Sequence, residues 1–314
     1  MKHNLKVTLL LLGMFFITQL IGIAVINQYS PVTKIVFNET ANEYINVSVS
    51  PQLPYGMQPP ETTPTESLVS IISAFVFAVI LLLFLMTLKV RWFLRIWFFL
   101  VVAVAIGITF YSFIKGFQYA QIISLAFALP LAYFKVFKRS MLIHNISELL
   151  VYPGIAAIFV PILSVWNIII LLFLISAYDI YAVWHAGFMQ KMAKFQIQEL
   201  KVFSGFFVPY LTKEQKLLIE KAKAMKNKSQ KSLKNMKISI ALLGGGDVVF
   251  PLITAGVMLR SFGFVPALFV AVFATISLFV LFVLAKKGKF YPAMPYLTAG
   301  TLAGMALGYL IYMI

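Results

Sequence analysis

The chain has 314 residues, of which 61% are hydrophobic and 11% charged, with a mean hydropathy of +0.93. Soluble domains carry about 25% charged residues, so an ordinary globular protein is excluded, as is disorder, which requires low hydrophobicity. The chain therefore reads as an integral membrane protein, and its formal charge of +16 speaks to orientation in a bilayer and not to nucleic acid. Cysteine is absent, which excludes disulfides, thiol catalysis and thiolate metal sites.

At roughly 20 apolar residues per membrane helix, nine stretches predict spans, and the expected class is all-α. In chain order they are 5–26, 68–88, 92–113, 116–134, 148–163, 165–187, 238–260, 264–285 and 290–314. The first is too long for a signal-peptide core and no cleavage site follows it, so it is expected to be retained. The fifth is short and carries Pro153 and Pro161; about two residues separate it from the sixth, which predicts a tight helical hairpin.

The loops set the expected orientation. With nine spans and a cytoplasmic N-terminus, 23 of the 26 basic residues fall on the cytoplasmic side, leaving Lys34, Lys115 and Arg260. That asymmetry predicts N-in, C-out topology. Residues 27–67 form a polar, proline-rich outer loop with four of the ten acidic residues and two glycosylation sequons, at Asn38 and Asn46; chance occurrence explains such sequons equally well. Residues 188–237 form a lysine-rich cytoplasmic loop. The part at 212–237 is either an amphipathic segment on an anionic leaflet or a solvated loop. The domain organisation is thus spans one to six over 1–187, this loop, and spans seven to nine over 238–314.

The sequence has two aspartates, Asp179 and Asp247, and both fall inside predicted spans. A carboxylate at bilayer depth costs a few kcal/mol and persists only if it faces a partner or water, which makes it a functional candidate by default. Asp179 lies eight residues before the end of span six and Asp247 nine after the start of span seven. At about 1.5 Å per residue, both come roughly 12–14 Å from the same face. The helices are consecutive and antiparallel, so the two carboxyls can meet at one level. Two such groups tend to share a proton, as the pair of an aspartic protease does. One acid activates water and the other polarises the peptide carbonyl, with no metal or cofactor.

Gly244, Gly245 and Gly246 precede Asp247. Three glycines weaken a helix by about 1 kcal/mol each relative to alanine and expose a backbone edge that an extended substrate strand could join; close helix packing is the other reading. Pro251 should loosen the helix just beyond the acid. Tyr178, beside Asp179, could hydrogen-bond near the site or simply pack.

These residues carry a family resemblance. Tyr178-Asp179 and Gly244-Gly245-Gly246-Asp247 resemble the YD and GxGD motifs of the intramembrane aspartyl proteases, the presenilins and signal peptide peptidases. A third motif of that family, Pro-Ala-Leu at the start of the last span, is approximated by Pro292-Ala293-Met294. A literal Pro266-Ala267-Leu268 lies only 19 residues after Asp247 at the outer end of span eight, far in depth from the acids. The sequence around Asp247 looks more like signal peptide peptidase; the long cytoplasmic loop looks like presenilin, and the small size suits a microbial or archaeal homologue. The resemblance implies an intramembrane aspartic endopeptidase with Asp179 and Asp247 catalytic. Tyr178, Gly244–Gly246 and Pro292–Met294 would shape the site. Its substrates would be transmembrane segments in the lipid bilayer. A homo-oligomer is compatible with the sequence, and nothing in it demands accessory subunits.

Other features point less sharply. His185, six positions after Asp179, should face elsewhere, and Glu148 should sit at the interface. Gly300, Gly304 and Gly308 form a small-xxx-small stripe suited to close packing. No His-Glu-x-x-His, Walker or Rossmann pattern occurs. An ion or proton-coupled transporter using the aspartates as a relay is the competing function, although no repeat relates the two halves. A prepilin-type peptidase also uses GxGD but is expected to hold its acids at the membrane surface.

Overall fold

A computed structural model describes residues 5–38, 43–49, 51–58, 63–87, 91–138, 140–184, 203–210, 239–285 and 291–314. The helices are α1 (Leu5–Tyr29), α2 (Pro64–Thr87), α3 (Arg91–Ile114), α4 (Ala120–Phe137), α5 (Met141–Phe159), α6 (Val165–Trp184), α7 (Gly245–Phe262), α8 (Phe264–Leu284) and α9 (Met294–Met313). Two antiparallel hairpins accompany them, β1 (Val32–Asn38) with β2 (Glu43–Val49) and β3 (Gly205–Tyr210) with β4 (Ser239–Gly244). Among the described residues, eight helices are long and apolar enough to cross a membrane; α2, the remaining one, has its apolar stretch counted over Thr65–Ala78.

Helices dominate because a chain in lipid must satisfy every backbone N–H and C=O within itself. Large apolar side chains point outward where a soluble protein would place polar ones. Trp166 is 75% exposed and Ile122 69%, the surface expected of a protein solvated by acyl chains. α7 is the inverse: Pro251 through Leu259 are all buried. It is the central post of the bundle, packed by α1, α5, α6, α8 and α9. Phe15, Ile168, Leu172, Leu252 and Met258 fill the space between these helices.

Without a hydrophobic force between helices in lipid, close packing decides association, and small residues allow it. The glycine stripe of α9 packs on α8. Cβ atoms there would stand 2.7 Å from the Phe273 carbonyl at Gly300, 2.8 Å from the Phe269 carbonyl at Gly304 and 2.7 Å from Pro266 Cα at Gly308. Gly154 of α5 lies directly against the Ala105 carbonyl of α3.

Several boundaries differ from expectation. The predicted span from 238 begins as a strand, and its helix starts only at Gly245. The run Ser239–Gly244 is short and apolar, a pattern that periodicity cannot assign between buried strand and helix; pairing with β3 decides it. The fifth helix begins at Met141, seven residues earlier than expected, and the last begins at Met294. Residues 32–38 and 43–49 of the expected outer loop form the first hairpin. The fold is thus predominantly helical rather than strictly all-α.

Gly154→Leu should destabilise the protein by at least about 1–3 kcal/mol through overpacking. Gly13, where an added Cβ meets nothing within 4 Å, should tolerate alanine and gain roughly 0.5–1 kcal/mol. Thermal midpoints in detergent should therefore move in opposite directions for the two variants.

Candidate active site

Asp179 lies on the inward face of α6, together with Ile168, Leu172, Ile175 and Ser176, and is 5% exposed. Its Oδ2 accepts a hydrogen bond of 3.0 Å from the Met294 N–H, and the Ala293 N–H also turns to this carboxylate. The cause is local. A helix start leaves backbone N–H groups without partners, and Ala293, at the cap position of α9, has no side chain to serve them. In a bilayer such orphans cost several kcal/mol each. Asp179 supplies the missing acceptor from another helix, where the positive end of the α9 dipole also favours an anion. Farther along the same two helices, the Ser176 hydroxyl meets the Thr298 hydroxyl at 2.7 Å, a second polar tie between α6 and α9.

Asp247 is also at a helix start. Gly244 caps α7 with extended backbone (φ −64°, ψ 146°), and Asp247 is the third residue of the helix. Its carboxylate turns back to the Gly244 N–H, which is the acidic half of a capping box. The three glycines differ in what they do. A Cβ on Gly244 would stand 3.1 Å from Asp247 Oδ2, so the carboxylate folds back over a position that must stay small. A Cβ on Gly245 would fall 2.6 Å from Ser204 Oγ and 2.8 Å from the Tyr152 hydroxyl, so the chain here is wedged between the β3 entry and α5. At Gly246 the nearest atom would be the Phe250 ring at 3.8 Å, and the residue is exposed. The chain is therefore exposed at Gly246, beside a half-buried Asp247. Pro251 has no N–H, so the Asp247 carbonyl lacks its helical donor.

The elements bearing these residues pack on one another, α6 with α9 and α7 with both. Asp247 lies within electrostatic range of Asp179. Of the expected residues, Asp179, Ala293 and Met294 are joined directly, and Gly244 and Asp247 are joined by the cap. Pro292 is buried just before Ala293. Tyr178 is half-buried next to Asp179 and one helical position round from it. The literal Pro266-Ala267-Leu268 is elsewhere: Pro266 packs against Gly308, near the far end of α9. His185 falls outside the described residues. Among the described residues no group of three potential metal ligands occurs.

Sequence reasoning missed several polar residues near the site. Gln19 of α1 is fully buried and donates from Nε2 to the Val248 carbonyl at 3.1 Å, anchoring the first turn of α7. Glu148, expected at the interface, is instead fully buried and paired with Lys135 of α4. The correction follows from the earlier start of α5, which puts Glu148 inside the helix. The opposite charges of Lys135, just past the fourth predicted span, and Glu148, at the start of the fifth, were the available signal.

If Asp179 caps α9, Asp179→Ala should strip two amides of their acceptor. Hydrogen–deuterium exchange over residues 293–297 in detergent should then accelerate, and Asp179→Asn, which keeps an acceptor oxygen, should exchange more slowly than the alanine variant. Unchanged protection in Asp179→Ala would count against the cap.

No curated protein matches the chain closely enough to be counted as a relative. Solved structures do resemble it. Two structures of a presenilin family intramembrane aspartate protease, in the C222 and P2 space groups, each align with a TM-score of 0.58 at 18% identity. The first alignment covers 97% of this chain and 99% of the other, and the second covers 96% of each. At that identity the likeness speaks for the fold. The family model described as signal-peptide peptidase, presenilin aspartyl protease matches residues 47–314. The chain, a multi-pass integral membrane protein, belongs to the signal peptide peptidase and presenilin family of aspartyl proteases.

Proposed function

We propose that this protein is an intramembrane aspartic endopeptidase that hydrolyses peptide bonds in transmembrane segments, with Asp179 and Asp247 as its catalytic pair. The observation that carries the reading is the placement of both carboxylates at helix starts within electrostatic range of each other, beside the exposed Gly246. In this reading one carboxylate takes a proton from a water molecule as the oxygen attacks the scissile carbonyl. The other, protonated, donates to the carbonyl oxygen. The tetrahedral intermediate then collapses, the amine leaves with a proton, and the pair returns to its starting state.

The bond must be presented by an extended chain, because a helical substrate shields its carbonyls and has them already hydrogen-bonded. β4 runs directly into Gly244 and Asp247, so a substrate strand added to its edge would arrive at the acid. Ile240 and Leu242 face outward from this sheet while Ala241 and Leu243 are buried, which fixes β4 by its buried side and leaves its other face open. Tyr178, Pro292, Ala293 and Met294 shape the pocket around Asp179 in this scheme. The charge distribution supports nine spans with a cytoplasmic N-terminus and an outer C-terminus, and a cytoplasmic connection over 188–237 in which β3 is the exception, since its Phe206 and Val208 are buried.

Asp179→Asn and Asp247→Asn should each lower cleavage of a membrane-spanning reporter by about 10²–10⁴-fold or more, the scale of a lost general acid or base. Products would be followed by mass spectrometry in detergent, with an aspartic transition-state analogue as control. Full cleavage by either purified variant would falsify the pair.

A further inference from the structure

Hydrolysis consumes one water molecule for every bond cut, and here the bundle around the two acids is surrounded by hydrocarbon. The buried polar atoms of the bundle show where water can be held. Folded proteins leave few buried polar groups without a hydrogen bond, and ordered water typically satisfies those that the chain itself does not. Among the described residues three buried side-chain atoms have no partner in the protein: Gln19 Oε1, Glu148 Oε2 and the Tyr152 hydroxyl. None of these three residues is more than 1% exposed. Gln19 and Tyr152 adjoin the first turn of α7, the turn that carries Asp247, and Glu148 lies one helical turn from Tyr152 on α5.

Each atom is left over for a local reason. Gln19 donates from Nε2 to the Val248 carbonyl at 3.1 Å, which leaves Oε1 as a spare acceptor beside that turn. Glu148 Oε1 is fully engaged, since Lys135 Nζ and the Gly205 N–H (3.2 Å) both donate to it, and only Oε2 remains for another donor. The Tyr152 ring packs edge-on against Phe206, 5.8 Å between centroids, and this holds its hydroxyl at Gly245. A Cβ on Gly245 would stand 2.8 Å from that hydroxyl and 2.6 Å from Ser204 Oγ, so the two hydroxyls converge on one side of the glycine. Positions 148 and 152 share a helical stripe. The Tyr152 hydroxyl is within electrostatic range of both Glu148 and Asp247, yet bonded to neither. Two hydroxyls and a carboxylate oxygen supply the two to four polar partners that a buried water requires. α1 and α5 pack on each other and on α7, so the unpartnered atoms bracket the turn from its buried side, away from the exposed Gly246.

We propose that Glu148, Tyr152 and Ser204, with Gln19 across the turn, hold ordered water on the buried side of the α7 start, and that this water serves the Asp179–Asp247 pair when a substrate covers the exposed side. The proposal rests on the proteolytic reading above and adds positioning residues to it. None of the four acts on the scissile bond; they act through the water they hold. Lys135 balances the charge of Glu148, so the carboxylate can serve as an acceptor away from bulk solvent. Gly245 acquires a second reason to lack a side chain, since a Cβ would crowd the two hydroxyls that share the water.

Two measurements test the site without substrate. An experimental structure of the full chain in lipid nanodiscs, at a resolution that shows solvent, should place ordered water within about 3.2 Å of both the Tyr152 hydroxyl and Glu148 Oε2. A direct Tyr152–Glu148 hydrogen bond with no water beside it overturns the proposal. Tyr152→Phe should lower the thermal midpoint in detergent, because it removes a hydroxyl that bonds water; removing a buried hydroxyl that has no partner would raise the midpoint instead, and that result also overturns the proposal. A third measurement reads catalysis. On a transmembrane reporter Tyr152→Phe should lower kcat about tenfold, the weight of one hydrogen bond, with KM unchanged. Ser204→Ala, which leaves Tyr152 and Glu148 in place, should lower kcat by a smaller factor. Both rates are taken per folded protein, counted by binding of an aspartic transition-state analogue, so that a loss of folded enzyme does not pass for a loss of rate. An unchanged kcat in Tyr152→Phe, with or without a raised KM, overturns the catalytic role of the water. Failure of the unaltered chain to cleave any reporter refutes the proteolytic reading instead, and leaves the solvent density and the midpoint to judge the water site by themselves.

Discussion

A carboxylate inside a bilayer has no bulk water to solvate it, and a helix that begins inside a bilayer has backbone donors with nothing to accept them. Each problem is the other's solution here. Asp179 accepts from the first amides of α9, and Asp247 turns back to the amide that precedes α7. The two acids are held where helices begin, with the positive ends of helix dipoles facing them. The rest of the architecture is arranged around that exchange. α9 must start at Met294 and not earlier, α7 must start at Gly245, and both starts must lie beside the same stretch of α6.

This constraint explains why the segments that would otherwise be ordinary spans are interrupted. A helix running unbroken from residue 238 would bury its amides in its own hydrogen bonds and leave Asp247 in mid-helix. The strand Ser239–Gly244 moves the helix start inward to the acid. A strand in turn needs a partner, which β3 provides, and β3 needs its outer edge satisfied, which α5 provides through His144, Asn145 and Glu148. Burying Glu148 then requires Lys135. Along this series one polar group is answered by the next, as a low-dielectric medium demands.

Much of the site was legible in the chain itself. An aspartate is rare enough in a span that Asp179 and Asp247 stood out at once, although the helical rise used to reckon the depth of Asp247 does not apply to the strand Ser239–Gly244. The glycines before Asp247 and the Pro292-Ala293-Met294 segment were recognisable by pattern and order. What was not legible was the part each plays. Three glycines look alike in sequence, yet Gly244 clears the carboxylate, Gly245 clears Ser204 and Tyr152, and Gly246 is exposed with only the Phe250 ring near it. Glu148 was misplaced because apolar periodicity does not report where a helix begins, and α5 starts seven residues earlier, at Met141.

Composition and hydropathy determined that this chain lies in a membrane, that its spans are helical and that two acids within them need a partner, because those follow from the cost of moving each residue type from water into hydrocarbon. Only the tertiary structure decided that Ser239–Gly244 is a strand, that Asp179 serves the amides of Met294 and Ala293, and that Lys135, Glu148 and Asn145 converge on β3. A backbone donor can be satisfied by any acceptor that reaches it, and residues more than a hundred positions apart, such as Asp179 and Met294, are brought within reach by helix packing and not by anything in their local sequence.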